Sequence, residues 1–571
     1  MHSFIKIRES DCKDCYKCVR HCVVKAIQVK DAHARIITNR CIQCGRCIDV
    51  CPQHAIRAIS SLDQVKNFIQ TKSANVVSLS PTFAVAFPEF SPSQFVRALH
   101  KLGFKAVEET SAAAYHVLLE YEKLIQQDKF VISSECPALV NLIEVYHPEL
   151  IEHLAPVDSA MLAHAKMLKK AYKDKKDENV KVIYIGPCQS AKSENERFAG
   201  ELDYILSFED IRQWFREQSI YPEVIDDSPF ETPESHIQEK NSRLYPIQGG
   251  LLYRIGINPF SLNFLKVNGF GNCKRFLESI KDEHDSLKFA EMFICEDGCL
   301  GAPMMRQNSP QLAKMKLLEY VKSNNKIPNI FDYDDIEVDL TRSFKKREIH
   351  FKDVEEKDIQ ELLKKSGKIG TEDELNCGAC GYFSCRDKAI AVIQGMAEYE
   401  MCIPYMREKA ESRANRIIER DPNGVCEVDE ELKIVQYNTA FEKIFALPNY
   451  SEIAGNDIRE YIDVDLFNSK YRDQKASLLK SEKLKKEIEF ISFDLVEEGM
   501  HVVIVTDITQ KSENKDRINA LKEQTIEKAN EVIHKQMRVA QEIASLLGET
   551  TAETKVSLLE LMRVFREETK E

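Results

Sequence analysis

Hydrophobic and polar positions divide the chain into stretches of different period. Between residues 61 and 345, apolar runs such as VVSLSPTFAVAF, KFVISS and VKVIYIGPC alternate with helical stretches. That alternation reads as an α/β domain with the apolar runs as strands. Residues 416–511 instead show short alternating strands, VCEVD, LKIVQYN and MHVVIVTDIT, around a helix at TAFEKIF, the pattern of a smaller α+β domain. From residue 512 onward the pattern is helical. There Ile518, Val532, Val539 and Leu546 recur in multiples of seven, with Thr525 in the gap, and Ile526, Ile533, Ala540 and Leu547 form the adjacent row. Heptads of this kind predict a parallel coiled-coil dimer; a helix packed on its own chain is the alternative. The segment 345–375 is charge-rich and is expected to be a surface connection or a solvated helix. The division is therefore 1–60, 61–345, 346–415, 416–511 and 512–571, a multidomain α/β and α+β protein.

Residues 1–60 are too few for a large core, and their cysteines supply the alternative. Cys12, Cys15, Cys18 and Cys22 form C-x2-C-x2-C-x3-C, and Cys41, Cys44, Cys47 and Cys51 repeat it, with Pro52 following. This is bacterial ferredoxin spacing, in which the fourth cysteine of each run ligates the other cluster. C-x2-C also grips zinc, but the unbroken run of four is better suited to cuboidal clusters. Two 4Fe–4S clusters would hold this segment together, so the chain moves electrons. Cys377, Cys380, Cys385 and Cys402 give C-x2-C-x4-C-x16-C. Glycines in NCGACGYFSC let the backbone wrap closely round a cluster, and the spacer AIAVIQGMAEYEM is expected to be helical. The segment resembles a small single-cluster 4Fe–4S domain found in several redox proteins, with zinc again the alternative.

Composition narrows the setting. The 571 residues are 43% hydrophobic and 30% charged, and the net charge of −13 argues against nonspecific nucleic-acid binding. No apolar stretch approaches the ~20 residues that span a bilayer, and MHSFIKIRES lacks the apolar core of a signal peptide. A cytoplasmic protein is expected, with its 18 cysteines serving as thiolate ligands rather than disulfides.

Four further cysteines, Cys136, Cys188, Cys295 and Cys299, each follow or end a predicted strand, where an α/β fold places its site residues. Taken alone, Cys136 or Cys188 reads as a buried core thiol. Their contexts change that: SSECP at 133–137, GPCQSAKSE at 186–194 and EMFICEDGC at 291–299 follow a double-cluster ferredoxin in this order. Together they resemble the three signature segments of iron-only (FeFe) hydrogenases, over roughly residues 1–305. The resemblance implies that Cys136, Cys188, Cys295 and Cys299 ligate the cubane of an H-cluster. It also implies that Cys299 bridges to a diiron subsite carrying CO, cyanide and a dithiolate.

The departures bear on activity. Catalytic members have two consecutive cysteines before the proline of the first segment, the first relaying protons to the bridgehead amine. Glu135 stands there, and a carboxylate carries protons with a different reach and pKa. The methionine of the second segment is Gly186. The position of its cyanide-pairing lysine holds Ala191, with Lys192 one step later, and Glu194 keeps the acidic residue. Phe293 replaces a methionine of the third segment, whose glycine-rich tail is shortened to Leu300-Gly301-Ala302-Pro303. Thr82, after Pro81, is matched to a serine near the amine, and Met161 to a cyanide-contacting glutamine. Retained cubane ligands in a rewritten diiron pocket imply slow turnover and shifted potentials, and resemble the sensory branch of the family.

GVCEVDEELKIVQYNTAFEKIF and VVIVTDITQKSE resemble a PAS domain, with Asn438 and the closing Asp507-Ile508-Thr509 as its marks; a plain α+β domain is the alternative. Cys426 reads as a core thiol and His534 as a solvated helix residue. The whole reads as a sensory FeFe-hydrogenase-like protein and slow hydrogenase, with three 4Fe–4S clusters plus an H-cluster. Expected partners are H2 and protons, an electron-transfer protein such as a ferredoxin, a downstream phosphatase or kinase and a second copy of the chain, with neither nucleic acid nor membrane. The rivals are a catalytic hydrogenase whose tail merely dimerises, and a non-enzymatic iron–sulfur redox sensor or assembly factor that never carries the diiron unit.

Overall fold

The computed structural model describes residues 3–567 apart from 32, 128, 177, 199, 231–239, 255–262, 281–285, 306–308, 324–326, 348, 350, 449, 463–465, 467–475, 482–484, 496–498 and 547–551. The chain forms two compact units, Met1–Met406 and Arg407–Glu571.

The first unit begins with a repeat that sets Cys12–Cys22 against Cys41–Cys51. Each half enters a short helix, Lys17–His21 or Arg46–Val50, through a left-handed residue, Tyr16 or Gly45. The strand Ile5–Ile7 pairs with Ile56–Ala58 from the far end, which closes the two halves on each other. A small core of Val19, Ile27, Val29, Ala34 and Ile56 lies between them.

Beyond it stands a parallel four-stranded sheet in the order Ala106–Glu109, Asn75–Leu79, Lys181–Gly186, Tyr204–Ser207. The strand Asn75–Leu79 is first in the chain and lies inside the sheet, so connections leave it in both directions. Alternate residues feed separate cores. Val77, Leu79, Ile183 and Ile185 pack with the helices Pro92–Lys101 and Phe208–Glu217, while Val76, Val182 and Tyr184 pack with Ser111–Ile125 and Ala160–Lys176. Both faces are covered, which is why these strands read as unbroken apolar runs. A second parallel sheet, Phe264–Asn268, Phe289–Phe293 and Val131–Ile132, carries the helices Pro137–Tyr146 and Phe270–Ser279 on its own core.

Within residues 345–375, expected to be a surface connection or a solvated helix, a helix forms whose charged face is exposed. Glu356–Lys365 is amphipathic and buries Ile359, Leu362 and Leu363 against Ala389; its charges lie only on the outer face. The spacer before Cys402 is not continuously helical. The helix Cys385–Ile393 stops at Gly395 (φ +70), and a 3-10 turn, Tyr399–Met401, returns the chain to Cys402.

The second unit holds an antiparallel sheet in the order Ile434–Tyr437, Gly424–Asp429, Met500–Asp507, Lys486–Leu495, Ser477–Ser481. The last two strands were not singled out from the sequence, although Ile488 and Phe490 alternate inward as a half-buried strand requires. Cys426 is fully buried in this core. Asn438 caps the helix Thr439–Phe445 through Phe441 N–H and also accepts from Val425 N–H, both at 2.9 Å. Asp507 accepts from the Thr509 hydroxyl at 2.7 Å where the helix Thr509–Leu546 begins. Along that helix Ile518, Val532 and Val539 are exposed, as is His534; Leu547 lies outside the described residues. Among the described residues no helix is long and apolar enough to cross a membrane.

Candidate metal centre

All 18 cysteines are free thiols. In the repeat they regroup across the two runs. Cys12, Cys15 and Cys51 are the charged neighbours of Cys18, whereas Cys41, Cys44 and Cys22 surround Cys47. Burial pushes Cys18 and Cys41 up to about 12 and Cys44 to about 11. Such groups stay ionised inside a protein only if a cation takes up their charge. Backbone N–H groups already face the sulfurs, Ala26 to Cys22 at 3.2 Å and Gln43 to Cys41 at 3.4 Å. At the third run, Cys377, Cys380, Cys385 and Cys402 line one cavity with Lys368 and Lys388, and the Lys368 ammonium lies 3.7 Å from Cys402 Sγ. Among the described residues, no group of three Cys, His, Asp or Glu side chains is placed to hold a single metal ion.

The four dispersed cysteines meet in the α/β domain. Cys136 caps the helix Pro137–Tyr146 just after the strand Val131–Ile132. Cys188 follows the strand Lys181–Gly186, Cys295 follows Phe289–Phe293, and Cys299 sits in the turn Gly298–Gly301. All four therefore stand beyond the carboxyl ends of parallel strands, and all line one cavity of about 690 Å³ of empty space. Burial pushes every one of these thiols up, Cys295 and Cys299 furthest. Four buried thiols with no disulfide and no histidine among them fit an iron–sulfur cubane. Cys44 of the repeat lines the same cavity, held there by Ser190, whose hydroxyl donates to the Gln43 carbonyl at 2.9 Å.

The residues matched to the diiron pocket divide. Glu135, Met161, Phe293 and Glu194 line the cavity. The Glu135 carboxylate accepts from Ala160 N–H at 3.0 Å. Burial pushes it up to about 8; the Ala160 N–H and Arg342 oppose this and Glu194 adds to it. Lys192 does not line the cavity. Its ammonium donates to the Ile59 carbonyl, and Ala191 occupies the cavity wall instead. One residue along a helix is a turn of about 100°, enough to aim the lysine elsewhere. Thr82 is buried behind Ser80, its hydroxyl 2.9 Å from that of Ser80, and it is Ser80 that reaches the cavity.

Three contributors were not visible in the sequence motifs. Tyr184 lines the cavity beside Gly186, and a Cβ at 186 would lie 2.4 Å from the Tyr184 hydroxyl. The tyrosine thus fills the space beside this glycine. Tyr245 joins it, and both hydroxyls interact with Ser80. Arg342, brought in by the bridge between Val157 and Thr341, is buried; it pairs with Glu194 and donates to the Ser134 carbonyl. The signal for Tyr184 was its place two residues before Gly186; for Arg342 there was none.

Residues 68–303 match the family model of the iron only hydrogenase large subunit, C-terminal domain; residues 4–52 match a 4Fe-4S dicluster domain, and residues 373–404 an Fe-S cluster domain. The chain is 22% identical to the cytosolic Fe-S cluster assembly factor NAR1 of Encephalitozoon cuniculi, over 56% of this chain and 90% of that protein. It is 21% identical to iron hydrogenase 1 of Clostridium pasteurianum, over 47% of this chain and 56% of that one. Among solved structures it is similar to an FeFe-hydrogenase HydA1 variant from Chlamydomonas reinhardtii, with a TM-score of 0.40 at 15% identity, covering 51% of this chain and all of that one. It is also similar to the PAS domain of an HTR-like protein from Haloarcula marismortui, with a TM-score of 0.15 at 21% identity, covering 18% of this chain and 97% of that one. The chain thus carries an FeFe-hydrogenase-like domain together with ferredoxin-like and further iron–sulfur segments.

Proposed function

We propose that the chain is a cytoplasmic sensory protein that reads H2 or redox state at an H-cluster-type site and reports it through its second unit. The observation that carries this reading is the central cavity: four thiols are retained while the groups beside them are changed. An H-cluster, when bound, supplies reversible conversion of H2 to protons and electrons. Around it Cys136, Cys188, Cys295 and Cys299 would hold the iron, Glu135 would hold a proton at its carboxylate, and Phe293 and Met161 would keep water out. Lys192, donating to Ile59, gives no cyanide contact. Turnover should be slow, and Glu135→Cys should raise it if the relay is limiting.

The signalling half of the proposal rests on the order of modules. The antiparallel sheet and its Asp507–Thr509 junction suit a PAS domain, and the exposed seam of Ile518, Val532 and Val539 suits a homodimer. A phosphatase or kinase is the class of partner such a tail addresses. Hydrogen exchange beyond Asp507 should differ between oxidised and H2-reduced protein, and truncation near residue 512 should abolish dimers while leaving iron unchanged.

The similarity to a cytosolic Fe-S cluster assembly factor along 90% of its length favours a second reading, a non-enzymatic protein without the diiron unit. Infrared spectra of anaerobically matured protein decide between them. CO and cyanide bands with slow H2 turnover support the first reading. No bands support the second, and a fast rate makes it a catalytic hydrogenase.

A further inference from the structure

The cysteine set at 377–402 is seated directly on the ferredoxin-like repeat. The Met396 carbonyl accepts from Val29 N–H at 3.0 Å, and the Glu398 carboxylate accepts from Asp31 N–H at 2.6 Å. Tyr382, Met396 and Met401 share one core with Val19 and Val29. The two segments also meet closely at Gly381, whose φ is +96. A Cβ there would lie 3.0 Å from both the Arg20 nitrogen and Val19 Cγ1. Only glycine accepts that conformation and that proximity without strain. Gly381 adjoins Cys380, and Val19 and Arg20 lie between Cys18 and Cys22.

Lys25 occupies this joint. Its ammonium donates to the carbonyls of Val19 at 3.1 Å, Arg20 at 3.3 Å and Gly381 at 2.6 Å. It also lies 5.7 Å from the Tyr382 ring centre and 5.2 Å from that of Phe383. Cys22 and Cys380 are both among its charged neighbours, and Asp387 is the remaining one. The repeat places His54 at the matching position in the same left-handed conformation, φ 49 against 48. The turn therefore does not call for a lysine; the joint does.

We propose that Lys25 is a positioning residue shared by two cluster sites, Cys22–Cys41–Cys44–Cys47 and Cys377–Cys380–Cys385–Cys402, and that its charge favours the reduced form of both. One-electron reduction adds a negative charge to a cluster and its thiolates, and a fixed ammonium beside them stabilises the more negative state. Because Cys44 also lines the central cavity, the second site of the repeat neighbours both the hydrogenase-like centre and the 377–402 set. That set thereby joins the redox sites at the middle of the series. The proposal rests on the iron–sulfur reading of these two cysteine sets and is independent of the diiron unit.

The test is a redox titration of anaerobic full-length protein with dithionite, followed by EPR, with Cys385→Ala identifying the 377–402 signal by its loss. In Lys25→Met the reduced-to-oxidised ratio at fixed potential should fall about tenfold at both sites, about 59 mV for a one-electron couple. Lys25→Arg should stay near the parent, and the site containing Cys12 should move less. An unchanged ratio, or a shift confined to one site, would overturn the proposal. Iron is assayed in parallel. If Lys25→Met loses iron, Lys25→Gln, which keeps a donor toward the carbonyls, is judged by the same ratio. A parent chain with zinc or no iron at either set would instead defeat the iron–sulfur reading itself.

Discussion

The cysteine sites fall into two kinds that fail differently. In the repeat and at 377–402, ligands close in sequence are placed by short turns. The Ser384 hydroxyl, for example, caps the helix that starts at Cys385 through Asp387 N–H at 2.9 Å. In the α/β domain the four cysteines are brought together from positions beyond different strand ends, and buried ion pairs lie beside them. Glu194 pairs with Arg342, and Glu144 with Arg197 and Arg347. A local site should therefore be lost by changing its own ligands. The convergent site should be lost by changing residues remote in sequence from its cysteines.

Arg342→Met gives the largest separation of the two kinds. It strands Glu194 without its partner, and breaking a buried pair costs about 3–5 kcal/mol. The melting temperature should fall, and cubane iron, counted apart from any diiron unit, should drop from about sixteen to about twelve atoms per chain, at four per cubane, with the local clusters intact. Full iron content by metal analysis and EPR would show that the pair does not hold the convergent site.

A buried network behind the cavity supplies a second lever. Tyr333 donates to Glu108 at 2.7 Å and meets His164 at 3.3 Å, and Ser78 lies 2.8 Å from the other nitrogen of that imidazole. Burial raises Glu108 from 4.5 to about 7, with Tyr333 opposing, and lowers His164 from 6.5 to about 3. A raised carboxyl contributes stability below pH 4.5 that is lost as pH rises through about 7. The depressed histidine costs stability as pH falls below 6.5. Between pH 4.5 and 6.5 the two slopes oppose each other. Relative to the parent, Glu108→Gln should gain about 1.4 kcal/mol per pH unit from pH 4.5 to 7. Denaturant unfolding across that range measures it; parallel profiles would mean that Glu108 titrates normally.

Cys385→Ala is the smallest of these changes. It should remove about four iron atoms and leave the central cavity and the repeat loaded. Loss of a second cluster would bring the local sites closer in behaviour to the convergent one.

How much of this was legible in the sequence follows the same division. The cysteine runs could be read because ligand spacing is a local property. The strands that end at Cys136, Cys188 and Cys295 could be read because both faces of a covered sheet are apolar. Arg342 could not, since it lies 148 residues from Glu194 and nothing short of the folded chain joins them. Thr82 and Lys192 show the limit of matching by position. Each lies within two residues of a side chain that does line the cavity, and helix rotation or a turn decided which one faced inward. The docking face of the helix Glu356–Lys365 was not legible, because its charges outnumber the three apolar residues that dock it.

The nearness of Cys51 to Cys18, and of Cys22 to Cys47, has a consequence for biosynthesis. A chain leaving the ribosome presents Cys12, Cys15 and Cys18 well before Cys51 exists, and Cys22 waits for Cys41, Cys44 and Cys47. At about 5–20 residues per second, the stretch from Cys18 to Cys51 takes roughly 2–7 s to make. During that interval the nascent segment offers three thiols and no fourth, a half-built clasp that any thiophilic metal or oxidant can reach. Completion of one clasp brings the halves together and presents the other, so loading should be close to all-or-none.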